Sequence, residues 1–231
     1  WFLVSVVVDG AFRRRGIGTA LYTHLFEEFI QHDTKVLRAD AYENLPSGMP
    51  FARRLGFADV FREGPSHLDL NPFSADKFSP LLDRLESEGL EFVSFATYRD
   101  RRRVFDNLLY AAYCTAWKDV PKEESEITPE DWQSWMGENS QVDANISTVA
   151  LQGDRIVGFC EVGSAPEGRP VYAGLCGVEP SERGRGIASA VNLVAIVAAR
   201  AKGHPQIQTS SAIENMAMHT VYRRLGFVRE P

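Results

Sequence analysis

The stretch 178–188, with the sequence VEPSERGRGIA, decides the fold of this chain. It joins an apolar run at 171–178, which is typical of a buried strand, to a helical pattern of apolar residues at 187–200. A glycine-rich loop of this kind collects backbone N–H groups at the positive end of a helix, and it therefore favours the binding of phosphate oxygens. The side chains of Arg183 and Arg185 add positive charge and fork-shaped donors to the loop.

The loop motif and a second motif each occur twice in the chain, in the same order. The loop copies begin at Arg13 and Arg183, and the copies of the second motif, ARRLGF and YRRLGF, begin at Ala52 and Tyr222. Both pairs are separated by 170 residues, which indicates an internal duplication. Because Ala52 stands where the second copy has Tyr222, only the second copy carries a phenol at this position.

Composition excludes several classes of protein. The 231 residues are enough for one large domain or two small ones, and a net charge of −6 argues against a general nucleic-acid-binding protein. The longest apolar helical run, 191–199, is too short to cross a bilayer, so no membrane partner is expected. The three cysteines have no spacing suited to zinc; we expect no metal and interpret them as small buried residues of a cytoplasmic protein.

The hydrophobic pattern predicts an α/β fold with a mixed sheet. The predicted strands are 1–8, 35–41, two short strands around Gly64-Pro65 within 57–70, 92–97, 146–152, 156–162, 171–178 and 207–210. The predicted helices are 17–29, 43–55, 103–117, 129–136 with Thr128 as N-cap, 187–200 and 215–225, with a loop at Pro121.

A Rossmann dinucleotide site is the nearest alternative for the loop, because it uses the same helix terminus. That site requires three spaced glycines and an acidic residue about twenty positions further on. Neither copy has the third glycine. The first copy has Asp40 late in its next strand, but the strand 207–210 of the second copy carries no acid. The pattern therefore argues against this alternative.

Residues 178–188 together with 215–227 resemble the GCN5-related N-acetyltransferase (GNAT) superfamily. The resemblance covers the second copy except its C-terminal end, and the C-terminal half of the first copy. The duplication is similar to the arrangement in two-domain acetyltransferases of the mycothiol synthase type. The resemblance thus implies a tandem GNAT fold with an incomplete first copy in this chain, which we expect to be part of a longer protein.

The resemblance also implies a site for acetyl-CoA as co-substrate. It implies a loop that holds the pyrophosphate, formed by Arg183, Gly184, Arg185, Gly186, Ile187 and Ala188. It implies that the strand end Cys176, Gly177 and Val178 pairs with the pantetheine arm and donates an N–H to the thioester carbonyl. Asn215 would fix the pantetheine or the local backbone, and Tyr222 would protonate the departing thiolate. The alternative for Tyr222 is an aromatic residue that packs between the last helix and the sheet.

A general base is harder to identify from the sequence. Acetyl transfer to an amine needs a neutral nucleophile, so a group or a water chain must take its proton. Glu161, late in a strand, is the candidate we select, with Glu179 as an alternative and Glu214 as a weaker one. Each of these glutamates is also compatible with a solvated surface position.

The first copy departs from the pattern in ways that predict weak catalysis. It lacks the tyrosine at Ala52 and has Asp9-Gly10 in place of Glu-Pro, although the loop 13–18 is largely retained. We therefore predict three segments: residues 1–72 as the C-terminal half of a degenerate domain, 73–90 as a connector, and 91–231 as the catalytic domain.

The function expected is transfer of an acetyl group from acetyl-CoA to the amine of a small molecule, by direct attack in a ternary complex. Two alternatives remain: an acyl-CoA-binding regulatory module without turnover, and a protein N-acetyltransferase. We expect no nucleic-acid partner, packing of the two domains on each other, and a monomer or homodimer.

Overall fold

A computed structural model describes residues 2–32, 34–101, 105–120, 126–136 and 141–230; the side chains at 101, 105 and 106 are not described. Trp1, the loop at Pro121 and the first residues of the predicted helix 103–117 lie outside the described residues. The chain forms two compact units, Trp1–Val60 and Phe61–Pro231. In the described part, no helix combines the length and the apolarity needed to cross a membrane.

The first unit contains two helices and a small sheet. Strands β1 (Phe2–Leu3) and β2 (Leu37–Arg38) pair in parallel, and the helices are α1 (Ile17–Gln31) and α2 (Gly48–Arg54). The helix predicted at 17–29 is confirmed.

The predicted burial of strand 1–8 is wrong for most of its described residues. Phe2 and Leu3 are exposed, whereas Val4 is buried. The strand is exposed because β1 and β2 form a two-stranded sheet with no further strand beside it in the described residues. The helix predicted at 43–55 begins late, at Gly48. Pro46 explains the delay, since the residue before a proline is disfavoured in the helical conformation.

The second unit is built on a seven-stranded mixed sheet with the order β4-β5-β6-β7-β8-β3-β9. Only β7 and β8 pair in parallel among these strands. The strands are β3 (Glu63–Asp69), β4 (Leu90–Ser94), β5 (Thr148–Gln152), β6 (Arg155–Val162), β7 (Val171–Val178), β8 (Gln206–Ala212) and β9 (Val228–Arg229). The helices are α3 (Ser79–Ser87), α4 (Phe95–Arg101), α5 (Phe105–Trp117), α6 (Pro129–Met136), α7 (Ile187–Ala201) and α8 (Met216–Leu225).

Strand β3 corrects the prediction of two short strands around Gly64-Pro65, because it is continuous through both residues. Pro65 pairs with Ser210 of β8, and its carbonyl accepts a hydrogen bond from the N–H of Glu230, next to β9, at 2.9 Å. In an antiparallel sheet, the N–H and the C=O of one residue point toward the same neighbouring strand. The missing N–H of Pro65 therefore faces the short edge strand and costs the β8 ladder nothing.

Helix α4 begins inside the predicted strand 92–97 and ends that strand early. The hydroxyl of Ser94 accepts a hydrogen bond from the N–H of Thr97 at 3.1 Å, which caps the new helix. At α6, the predicted cap is confirmed: the Thr128 hydroxyl accepts from the N–H of Asp131 at 3.1 Å. Strands β5 and β6 pair, as predicted for 146–152 and 156–162. Helices α7 and α8 agree with the helices predicted at 187–200 and 215–225.

Two buried clusters cover the two faces of the large sheet. Neighbouring strand residues alternate between them, so Cys160 belongs to one cluster and Phe159 to the other. The first cluster contains residues of α3, α7 and α8, and the second contains residues of α4, α5 and α6. The predicted segments 1–72, 73–90 and 91–231 stay a prediction, while α3 and β3 are observed in the second compact unit.

Helix α3 contributes Leu85, which is fully buried, to the first of these clusters. Leu85→Ala should therefore lower the free energy of unfolding by about 2 to 5 kcal/mol, through lost burial and the cavity left behind. Asp83→Ala, an exposed position on the same helix, is the control and should change it by less than about 0.5 kcal/mol. Chemical denaturation measures both variants; equal, small effects would show that α3 is dispensable for the unit.

Candidate active site

The glycine-rich loop joins the end of β7 to the start of α7. A short 3-10 turn, Pro180–Glu182, follows Val178, and Gly184 and Gly186 then adopt φ angles of +80° and +93°. These angles suit glycine and few other residues. The N-cap residue of α7 is Gly186, which makes no side-chain cap hydrogen bond, so the N–H groups of the first turn can bind an anion.

The two arginines of the loop are held by carboxylates. Arg183 donates through Nε to the carbonyl of Val178 at 3.1 Å and through a terminal nitrogen to Asp119 at 2.5 Å. Arg185 pairs with Glu182 and, at 2.5 Å, with Glu88. Their predicted role in binding pyrophosphate stays a prediction, and it would require these side chains to share or exchange their acidic partners.

Helix α3 supports the loop, although it lies in the segment that the sequence predicts to be a connector. Arg84 donates to the carbonyl of Arg185 at 2.6 Å and to Glu88 at 2.7 Å. Hydrogen bonds from Arg185 and Arg84 hold the pKa of Glu88 below its usual value. This support could not be predicted from the sequence, because Arg84 and Arg185 are far apart in the chain and no local motif links them.

Strands β7 and β8 diverge beside the loop. Their pairing ends at Ala173 and Thr209, although β7 continues to Val178 and β8 to Ala212. A cavity of about 250 Å³ lies at the divergence. It is lined by residues of β7, β8 and the nearby elements: Phe61, Glu63, Ala116, Trp117, Asp119, Val120, Tyr172, Gly174, Leu175, Cys176, Ser210, Ser211, Ala212, Asn215, Met218 and Tyr222.

The end of β7 directs backbone groups toward this divergence. The N–H of Glu179 donates to the carbonyl of Val157 on β6 at 3.0 Å. Because backbone groups alternate between the two edges of a strand, the N–H groups of Val178 and Cys176 face away from β6. Gly177 faces β6, opposite Phe159.

Tyr222 lies inside the cavity wall and is almost fully buried, at 5% exposure. Its hydroxyl lies 3.1 Å from that of Thr209, and the Thr209 hydroxyl donates to the carbonyl of Ala173 at 3.0 Å. A threonine hydroxyl has one proton, so Tyr222 is the donor in the pair. Burial raises the pKa of the phenol, and Cys176 raises it further. Thr209 belongs to neither sequence motif and was not predicted from the sequence.

Cys176 also lines the cavity, opposite Cys160 in the ladder of β6 and β7. Asn192 of α7 lies between them: its amide donates to Cys176 at 3.2 Å and accepts from Cys160 at 3.5 Å. Hydrogen bonds from Cys160 and Asn192 hold the pKa of the Cys176 thiol below its usual value, against the effect of burial. The three cysteines are free; Cys160 is buried, as the sequence predicts, whereas Cys114 and Cys176 are only half-buried.

Glu161, the selected base, is not among the described residues that line the cavity, and its role stays a prediction. Its carboxylate accepts a hydrogen bond from the Tyr113 hydroxyl at 2.7 Å, and burial raises the pKa of the carboxyl. Glu179 is half-buried at the start of the loop, and Glu214 is exposed. Asn215 caps α8, since its side chain accepts from the N–H of Met218 at 3.1 Å, and it also lines the cavity.

The first unit repeats the loop geometry of the second. Arg13 donates to the carbonyl of Val8 at 2.9 Å, as Arg183 does to Val178, and Gly16 precedes α1 with a φ of +83°. One difference is Arg14, which occupies the position of Gly184 and adopts a φ of +61°. A side chain in this conformation costs roughly 1 to 2 kcal/mol, which is consistent with a degenerate copy.

Three comparisons place this geometry among known proteins. The model of the acetyltransferase (GNAT) family matches residues 1–57 and 108–227, in both copies of the motif pair. A mycothiol acetyltransferase of Acidothermus cellulolyticus is 27% identical over 239 residues, covering 96% of this chain and 67% of the relative. A GCN5-related N-acetyltransferase from Sphaerobacter thermophilus superposes with a TM-score of 0.72 at 22% identity, covering 96% of this chain and 68% of that structure.

A tandem GNAT protein from the clavulanic acid biosynthesis pathway superposes with a TM-score of 0.64 at 21% identity, over 96% of this chain and 69% of that structure. At these identities the two structures show the fold alone. They confirm the predicted α/β fold of the GNAT type, and with the family match they confirm the resemblance drawn from the sequence.

Proposed function

This chain belongs to the acetyltransferase (GNAT) family, and from that premise we propose that it transfers the acetyl group of acetyl-CoA to the amine of a small molecule, by direct attack in a ternary complex. The observation that carries the proposal is the divergence of β7 and β8, where the cavity lined by Cys176 and Tyr222 begins. Strand edges that part in this way leave backbone donors and acceptors for an extended ligand arm.

The residues present fit acetyl-CoA at this divergence. The uncapped first turn of α7, preceded by Gly186, suits the pyrophosphate. The edge of β7 at Cys176 and Val178 suits the amide groups of pantetheine. This division of roles among residues 176–178 and 183–188 follows the family resemblance. The cavity and the N–H groups of Cys176 and Val178, which face away from β6, support it.

Two groups stabilise the transition state in this proposal. The N–H of Val178 donates to the carbonyl oxygen of the thioester as negative charge develops on it. Tyr222 protonates the departing thiolate: its phenol is protonated at neutral pH, although burial raises its pKa and makes it a weaker acid. Thr209 holds the phenol in place before it donates its proton.

Glu161 serves as the general base in the same proposal. Its Oε1 atom lies against Gly174, a cavity residue: a Cβ atom built on Gly174 would be 2.9 Å from it. From this position the carboxylate accepts the proton of the amine directly or through one water. The raised pKa of Glu161 brings its basicity closer to that required near neutral pH.

The cavity lining favours acceptors without negative charge. Among the described residues, the lining includes Glu63 and Asp119, of which Asp119 is paired with Arg183, and contains no Lys, Arg or His. We expect diamines and other cationic amines to be acetylated with a kcat/KM at least about tenfold above that of amino acids that carry a carboxylate. Thiol release from acetyl-CoA across an amine panel measures this.

Glu63→Gln should narrow the difference between cationic and anionic acceptors, since it removes one carboxylate from the cavity wall. A preference for anionic acceptors would contradict the charge argument. Tight binding of CoA with no thiol release from any amine would contradict the transfer itself, and would favour a regulatory module that binds acyl-CoA without turnover.

A further inference from the structure

Tyr113 of α5 donates its phenolic hydrogen to Oε2 of Glu161 at 2.7 Å. The two residues lie 48 positions apart in the sequence, and no motif connects them. The Tyr113 side chain is buried at 2% exposure, so water does not compete for this hydrogen bond. The hydrogen bond links α5, on one face of the sheet, to β6, the strand that pairs with β7.

The ring of Tyr113 is held by aromatic contacts on two sides. It stacks on Phe159 of β6, with ring centroids 4.3 Å apart, and meets the edge of Trp132 of α6 at 4.8 Å. Such a ring has little freedom to turn, because each contact restricts its torsion angles. The direction of its hydroxyl, and hence the position of the Glu161 carboxylate, is fixed by the core.

The hydrogen bond engages one carboxylate oxygen of Glu161 and leaves the other beside the cavity. Oε2 accepts from Tyr113, while Oε1 lies against Gly174, which lines the cavity. The carboxylate thus has one oxygen anchored in the core and one beside Gly174 of the cavity wall, although Glu161 itself is not among the described lining residues.

We propose that Tyr113 is the positioning residue of the general base: it holds the ionised carboxylate of Glu161 with Oε1 turned to the acceptor amine. This inference rests on the proposed role of Glu161. Tyr113 itself does not touch the reacting atoms, and its effect on the reaction passes entirely through that carboxylate.

Tyr113 of α5 and Glu161 of β6 have two further ionisable neighbours, Cys160 of β6 and Cys176 of β7. Burial and the neighbouring Glu161 raise the pKa of Tyr113, so its phenol remains a donor across the working pH range. Donation to the ionised form of Glu161 lowers the pKa of that carboxyl, and burial raises it. Removing the donor therefore raises the pKa of Glu161.

Tyr113→Phe should move the acid limb of kcat/KM to higher pH by about one to two units. At pH values on the acid side of the limb, the variant should be about tenfold or more less active than the unchanged enzyme. At alkaline pH the two activities should become similar. Tyr110→Phe is the matched control: Tyr110 lies one turn earlier on α5 and donates to the carbonyl of Ile127 at 2.7 Å. The control should leave the limb in place.

A uniform loss at every pH, or an unchanged limb, would overturn the inference. If Tyr113→Phe folds poorly, Tyr113→3-fluorotyrosine is the alternative, because it keeps the ring and makes the hydroxyl a stronger donor. The acid limb should then move to lower pH. A limb that does not move would again overturn the inference. Titration of the ¹³C-labelled Glu161 carboxyl by NMR reads the same shift without turnover.

Glu161→Gln separates the inference from the proposed function. If this variant loses activity while Tyr113→Phe shifts nothing, Glu161 is the base and Tyr113 does not position it. If Glu161→Gln keeps full activity, the role of Glu161 and the inference both fail. Loss of activity in Glu161→Gln together with the shift in Tyr113→Phe is the result we expect.

Discussion

Tyr222→Phe should lower kcat by about 100-fold to 10,000-fold, the range of a lost general acid, and leave the KM for acetyl-CoA nearly unchanged. The variant keeps the aromatic contact with Phe227, whose ring centroid lies 5.0 Å away, and loses only the hydroxyl. Because Thr209 donates to Ala173, it loses an incoming hydrogen bond and no buried donor is left unpaired. The effect should therefore appear in turnover and hardly in the folding of the protein.

Steady-state kinetics with the best acceptor amine measures this effect, with thermal unfolding as the check on folding. Tyr110→Phe is again the control, because its hydroxyl bonds to a backbone carbonyl outside the cavity lining. An unchanged kcat in Tyr222→Phe would remove the phenol from the mechanism, and a water or another donor would have to protonate the thiolate.

Gly186→Val should weaken the binding of CoA by about 100-fold. At a φ of +93° a side chain is strained by roughly 1 to 2 kcal/mol, and a Cβ atom would lie 2.9 Å from Cδ1 of Leu81. The loop would shift to relieve both effects and misplace amides whose hydrogen bonds to phosphate contribute about 1.5 to 3 kcal/mol each. A total near 3 kcal/mol corresponds to about two factors of ten in Kd.

Calorimetry with CoA measures this change in Kd. The duplication offers a matched control, the same substitution in the first loop, and steady-state kinetics compares the activity of the two variants. Gly16 precedes α1 at the same point of the first loop, with a φ of +83°. We propose that the first unit, with Ala52 in place of the phenol, contributes no turnover. Gly16→Val should then leave kcat unchanged. Equal losses of activity in both variants would contradict the assignment of catalysis to the second unit.

Features that depend on a few adjacent residues could be predicted from the sequence. The loop at Gly186, the helix after it, and the ending of α8 at Gly226, with a φ of +97°, are all encoded by glycines and local hydrophobic spacing. The cap at Thr128 is of the same kind. The family resemblance rests on two such local motifs, and the amino-acid sequence is therefore sufficient to support it.

Features that depend on distant residues could not be predicted. The pairing of Arg185 with Glu88, and the hydrogen bond of Tyr113 to Glu161, join residues 97 and 48 positions apart. Nothing in either local pattern indicates the other partner. Strand β3 differs from its prediction for a related reason: whether Pro65 interrupts a strand depends on which neighbour its nitrogen faces, and that is set by the sheet order.

A crystal structure of the protein with bound CoA tests the central claim most directly. We predict the pyrophosphate on the amides of residues 186–188, the pantetheine arm along β7 between Val178 and Cys176, and the sulfur within hydrogen-bonding distance of the Tyr222 oxygen. Pyrophosphate bound away from this loop, or a sulfur far from the phenol, would contradict the account.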